Sequence, residues 1–107
     1  MGFDQYHEPV AELSQKVRTF ARMAVSVIEE TEAISWYEQR ISVEKDKAAK
    51  AIMGEAQEEE FKHFAMALEF LVRQKPKLKA VLKKTLFTTG DIVKRGKEGE
   101  DAEERVK

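Results

Sequence analysis

The sequence predicts an all-α protein: an antiparallel two-helix hairpin followed by a short C-terminal helix, with a four-helix bundle completed by dimerisation. Three observations predict it. Apolar residues recur at alternating spacings of three and four through two long stretches, the signature of amphipathic helices. The chain's 2 prolines, Pro9 and Pro76, both fall outside the interiors of those stretches. A hairpin of two helices about 40 Å long buries only one strip of each, so a second copy is the physical default for covering the rest.

Pro9 suits the first position of a helix, because the N–H it lacks has no intrahelical partner there. From Val10 the apolar positions advance through Leu13, Val17, Phe20, Ala24, Val27, Ile34 and Ile41, which predicts an amphipathic helix of about nine turns ending near Ile41. Ser42 to Asp46 breaks the pattern, and Asp46 is a good N-cap for a second helix from Lys47 to about Gln74. Gly54 interrupts that helix at a cost of about 1 kcal/mol relative to Ala. Pro76 closes it, and residues 77–87 form a third helix with Leu78, Val81, Leu82, Leu86 and Phe87 on one side. Thr88 to Asp91 reads as a turn. Ile92 and Val93 are expected to dock, whereas KRGKEGEDAEERVK has almost no apolar content. The expected organisation is therefore a helical domain over residues 1–93 and a charged flexible tail over 94–107.

Composition excludes several functions. At 107 residues the chain holds one small domain, and its net charge of -1, with basic and acidic residues interspersed, provides no basic stripe for nucleic acid. With 0 cysteines there are no disulfides, iron–sulfur clusters, cysteine zinc sites or thiol nucleophiles. No apolar run approaches the roughly 20 residues of a membrane span. The N-terminal MGFDQYHEP lacks the basic and apolar regions of a signal peptide, so a cytoplasmic protein is expected.

The chemistry lies in the stretch Glu58 to His63. With Glu60 as origin and 100° per residue, Ala49, Met53, Ala56, Ala67 and Leu71 fall within about 40° of it, and His63 about 60° to one side. A carboxylate in the middle of an apolar stripe requires a cation or a proton, and no Lys or Arg lies near it on that stripe. The first helix repeats the anomaly: Glu30 sits at the edge of the face holding Met23, Val27, Ile34 and Ile41, while Glu29 and Glu32 do not share that face. Ferritin-like di-metal bundles use two lone Glu residues and two Glu-x-x-His pairs, all projecting inward. This chain carries half that set, and a two-fold axis doubles it. Two carboxylates per imidazole suit iron and also admit manganese, cobalt or zinc. A solitary Glu-x-x-His is common by chance, so the weight rests on its place in an apolar stripe and on the second inward Glu. Read from the residues alone, Glu29 and Glu32 are solvated charges, Trp36 and Tyr37 packing residues, and His7 a surface histidine.

Glu29-Glu30-Thr31-Glu32-Ala33-Ile34-Ser35-Trp36-Tyr37-Glu38-Gln39-Arg40 and Glu58-Glu59-Glu60-Phe61-Lys62-His63-Phe64-Ala65-Met66-Ala67-Leu68-Glu69 together resemble the encapsulated ferritins, the ferritin-like cargo of encapsulin nanocompartments. The likeness extends from about His7 to Ile92. It implies a ring of dimers, typically a decamer, and a di-iron ferroxidase centre between two protomers, with Glu30, Glu60 and His63 of each as ligands. It further implies that Glu29 and Glu32 form a metal-uptake site, with Trp36 near that route and Tyr37 close to the centre. Ferrous iron is oxidised with dioxygen in that family and passed on for storage inside the shell. Family members usually end in a leucine-containing targeting peptide, whereas this chain closes Glu103-Glu104-Arg105-Val106-Lys107. Two other readings keep the fold: a di-iron protein that uses peroxide for detoxification, and a non-catalytic helical oligomerisation module in which Glu60 and His63 pair with each other or across the interface.

Overall fold

The computed structural model describes residues 5–107, and all regular structure among them is helical. A single 3-10 turn, Val10–Glu12, precedes α1, Gln15–Val43; then follow α2, Lys47–Gln74, α3, Pro76–Thr85, and α4, Ile92–Glu104. The chain divides into two compact units, Met1–Leu71 and Val72–Lys107. The division falls inside the last turns of α2.

In the first unit, α1 starts five residues later than its apolar spacing predicts. Pro9 caps the 3-10 turn at φ -57, Leu13 is extended, and Ser14 becomes the N-cap, its hydroxyl accepting a hydrogen bond from the Val17 N–H at 3.2 Å. A serine oxygen satisfies a donor that the first turn leaves open, and proline cannot do so, which is why the helix begins after Ser14. The far end runs to Val43, two residues past Ile41.

The connection to α2 is short and built from side-chain acceptors. Glu44 Oε2 accepts from the N–H groups of Lys45 and Asp46 at 3.1 and 3.0 Å, and Asp46 Oδ1 accepts from Ala49 N at 2.9 Å. Asp46 thus caps α2 as expected, and α2 holds the predicted bounds. Gly54 does not interrupt it: the helix is continuous for 28 residues. Gln57 fixes the antiparallel register of the hairpin, its amide donating to the Ile34 carbonyl at 3.2 Å and to Glu38 Oε1 at 2.9 Å.

In the second unit, Pro76 opens α3 after Lys75, which stands at the N-cap. The helix ends at Thr85, so Leu86 and Phe87 lie beyond the apolar face assigned to them. Phe87 takes the left-handed region at φ 59 and is fully exposed, and Gly90 follows at φ 87 in the turn. Ile92 and Val93 do not dock: they open α4 with 75% and 66% exposure.

The expectation of a flexible tail over residues 94–107 is corrected by α4. Asp91 caps it, accepting from Val93 N at 3.0 Å. Arg95 ties its first turns down, donating to both oxygens of Glu98 at 2.6 and 2.8 Å and to the Thr89 carbonyl at 3.2 Å. Gly99 is buried and lets the two helices approach closely: a Cβ there would stand 3.0 Å from the Val81 carbonyl oxygen and 3.3 Å from Thr85 Oγ1. These contacts offset an unfavourable charge order, since α4 has no acid in its first turn and no base in its last, each such mismatch costing about 0.3–1 kcal/mol.

Buried apolar side chains are few, and none among the described residues is buried completely. Among the described residues only Ala67, Leu71 and Val72 are buried, while Val17, Trp36, Ile52, Phe61, Met66 and Phe70 remain exposed. No described helix is long and apolar enough to cross a membrane.

The two glycines of α4 give opposite expectations. Gly96→Ala, with nothing within 4 Å of the added carbon, raises stability in urea unfolding by about 0.5–1 kcal/mol. Gly99→Ala meets the α3 backbone, so α4 must shift; overpacking costs about 1–3 kcal/mol against the same propensity gain, and faster amide exchange in α4 reports it.

Candidate metal centre

Glu30 projects from the middle of α1, and Glu60 and His63 from one face of α2 near its centre. The antiparallel register brings them together: one donor atom from each lies within 4.8 Å of the other two. His63 Nδ1 stands 3.8 Å from Glu30 Oε2 and 3.7 Å from Glu60 Oε1. Those separations exceed hydrogen-bond length. They lie within the span of a coordination polyhedron, because ligands about 2.1 Å from an ion are roughly 3.0–3.4 Å apart along an edge and about 4.2 Å apart across it. The donor set therefore fits a cation of first-row size.

Glu30 and Glu60 are both largely covered, with 22% of each side chain exposed, whereas His63 keeps 43%. The pKa of Glu30 is raised above the ordinary 4.5, first by a side-chain hydrogen bond with Glu60, then by burial and by the negative charge of Glu60. Glu29 adds to the rise, and His63 opposes it. Glu30 thus holds its proton more readily than an exposed acid does. Glu59, fully exposed, has its pKa lowered by its hydrogen bond and charge pairing with Lys62 at 2.9 Å; it is a surface pair.

The other predicted site residues do not join this cluster within the chain. Glu29 is exposed, Glu32 half-buried, and neither belongs to the group of three donors. Trp36 is 52% exposed and lines a shallow groove with Gln39 and Arg40. The Tyr37 ring lies under the Arg40 guanidinium, 5.3 Å from its centroid, as a cation–π partner. Gln57, which periodicity alone does not single out, clips α2 to α1 one turn before Glu60 and so sets the register on which the three donors depend. The available signal was a long amide beside the apolar stripe of α2.

Comparison with known proteins agrees on one family. The family model EncFtn-like matches residues 5–89. A ferritin-like protein of Thermotoga maritima is 45% identical over 89 residues, 83% of this chain and 78% of that protein. An encapsulated ferritin-like protein of Rhodospirillum rubrum is 41% identical over 86 residues, 80% of this chain but only 61% of that protein's length. Among solved structures, protein ne0167 from Nitrosomonas europaea superposes with a TM-score of 0.80 at 43% identity, covering 83% of this chain and 98% of its own.

The raised pKa of Glu30 has a definite sign in stability. The folded state holds the Glu30 proton more tightly than the unfolded state, so this contribution is complete below pH 4.5 and is lost as pH rises through the raised value. Above that raised value both carboxyls are ionised and repel, so Glu30→Gln raises the stability of the metal-free chain there, by under about 1 kcal/mol given partial solvent screening. Divalent cations stabilise the unsubstituted chain at neutral pH and lose that effect as protons compete in acid. Thermal unfolding across pH, with and without Mn(II), measures both.

Proposed function

Because the chain belongs to the encapsulated ferritin (EncFtn-like) family, we propose that it is a ferroxidase, oxidising Fe(II) to Fe(III) with dioxygen at a di-iron centre shared by two copies. The convergence of Glu30, Glu60 and His63 carries the reading: two carboxylates and one imidazole from two helices, at ligand spacing, with no Lys or Arg in the group.

Each donor has a distinct task. Glu30 and Glu60 offer their two carboxylates to the ferrous substrate, and two negative charges at short range favour the more highly charged ferric product over the ferrous one. His63 fixes the lateral position of the ion through Nδ1, the nitrogen that faces both carboxylates. Three donors leave an ion of this kind unsaturated. A second copy supplies the remainder, since doubling Glu30, Glu60 and His63 produces the four-Glu, two-His set of a di-iron bundle.

The exposed edge of α2 supports the shared centre. On a helical wheel Ile52 and Phe70 lie about 20° from His63, and Met66 about 60°, and all three remain exposed. An apolar strip beside a half-exposed imidazole is the surface a second hairpin would cover. Glu29 and Glu32, which remain outside the cluster, are assigned to ferrous uptake along the approach to the site, with Trp36 beside that route and Tyr37 next to the centre. The name of the Rhodospirillum relative supports an association of the assembled protein with an encapsulin shell, where oxidised iron is stored.

Glu30→Ala, Glu60→Ala and His63→Ala should each abolish stoichiometric iron binding and reduce oxygen-dependent ferrous oxidation by about 10²-fold or more. Stopped-flow absorbance, elemental analysis and analytical ultracentrifugation with and without Fe(II) provide the readings. Unchanged metal content in His63→Ala, with native helicity, would leave a non-catalytic oligomerisation module. Faster oxidation with peroxide than with dioxygen would transfer the role to detoxification.

A further inference from the structure

The outer face of α4 carries a charge order that its own chain does not explain. This helix begins after residue 89, the last residue of the family match. Its inner face seats Gly99 on α3. On the opposite side lie Lys94, Lys97, Asp101 and Glu104, all exposed, and within about 80° of one another at 100° per residue. Among the described residues, none of the four takes part in an ion pair inside the chain.

The order along the helix is basic, basic, acidic, acidic, which places cations at the positive end of the macrodipole and anions at the negative end. Within one chain that order is unfavourable. It is, however, self-complementary when reversed. We infer that this face pairs antiparallel with the same face of a second copy, about a two-fold axis at the level of Gly99. Lys94 of one copy then opposes Glu104 of the other, and Lys97 opposes Asp101, each contact being made twice as an isologous interface requires. The basic end of each helix also lies beside the acidic end of its neighbour, so both dipole mismatches are relieved together.

Other occupants fit the pattern less well. Nucleic acid and anionic membranes select uniformly basic surfaces, and half of this face is acidic. A parallel arrangement of two copies sets like charge on like. Single exposed ion pairs are weak, but the two-fold axis makes four of them in one contact and relieves both dipole mismatches beside them. The pairing requires no metal.

The absence of cysteine makes a single thiol a clean reporter. Glu100→Cys sits on the exposed side of α4, one residue from the axis, so a short bismaleimide links two copies only when their α4 helices pair. The comparison is made in chelator at low salt. Lys94→Glu with Lys97→Glu, or Asp101→Lys with Glu104→Lys, should each lower the cross-linked yield about tenfold. An equimolar mixture of the two reversed proteins, and the single protein carrying all four changes, should recover it. Raising salt from about 0.02 M to about 0.5 M should weaken the linkage in the parent. Each reversal places acid at the helix start or base at its end, which favours the helix, so circular dichroism should show helicity kept and a lost link cannot be unfolding. Equal yields in all four proteins, or no recovery in the fourfold swap, would overturn the pairing. Loss of metal binding would not affect this result, because the cross-link is read without metal.

Discussion

Two carboxyl groups held against each other on facing helices are the constraint from which the rest follows. Donor atoms of Glu30 and Glu60 lie within 4.8 Å of each other, and that proximity together with partial burial raises the Glu30 pKa. Such a pair is tolerated only if something holds the helices in register against the repulsion. The Asp46 cap, the Glu44 acceptors across the short connection, and the Gln57 clip perform that function. None is a metal donor, yet each limits how far α1 can slide along α2. A slip of one residue would rotate Glu60 by about 100° and move it off the shared face.

The same constraint explains why the hairpin is sparsely packed. The site, under the proposed function, stays open to a second set of ligands, which accounts for the exposure of Ile52, Met66 and Phe70 on the side of α2 that carries His63. Under the proposed function the stability withheld from the single chain is supplied when copies meet around iron, and folding, assembly and metal loading become linked equilibria.

The all-helical class, the two long helices and the meeting of Glu30, Glu60 and His63 were legible because they depend on periodicity. Apolar residues at three and four fixed both long helices, and Glu60 stood out as an acid in the middle of such a stripe. What escaped was decided by local hydrogen bonds and close contacts. The start of α1 turned on whether Pro9 or Ser14 controls the first turn, and the serine hydroxyl wins because it satisfies a donor. The end of α3 turned on the backbone at Phe87, whose left-handed φ no hydropathy pattern signals. α4 was hidden most thoroughly. Its sequence is polar, contains Gly96 and Gly99, and opposes its own dipole, so every local criterion reads it as a tail. The deciding feature is the missing side chain at Gly99, which allows the α3 backbone within 3.0 Å of where a Cβ would lie. A glycine that weakens a helix in isolation here secures it in place.

α4 and the carboxyl pair pose the same physical problem at different strengths. In both, charges stand where the chain alone leaves them short of counter-charge, and in both the proposed arrangement brings in a second copy. At the candidate metal centre the proposed compensation is a cation, because both carboxyl contributions are acidic and no rotation turns an acid into a base. On α4 the face already contains both signs, so reversal alone supplies the partner. The difference predicts different sensitivities: the centre should respond to protons, which compete with cations for the carboxylates, whereas the α4 face should respond to ionic strength, because its charges are exposed and screened within about 10 Å at 0.1 M salt.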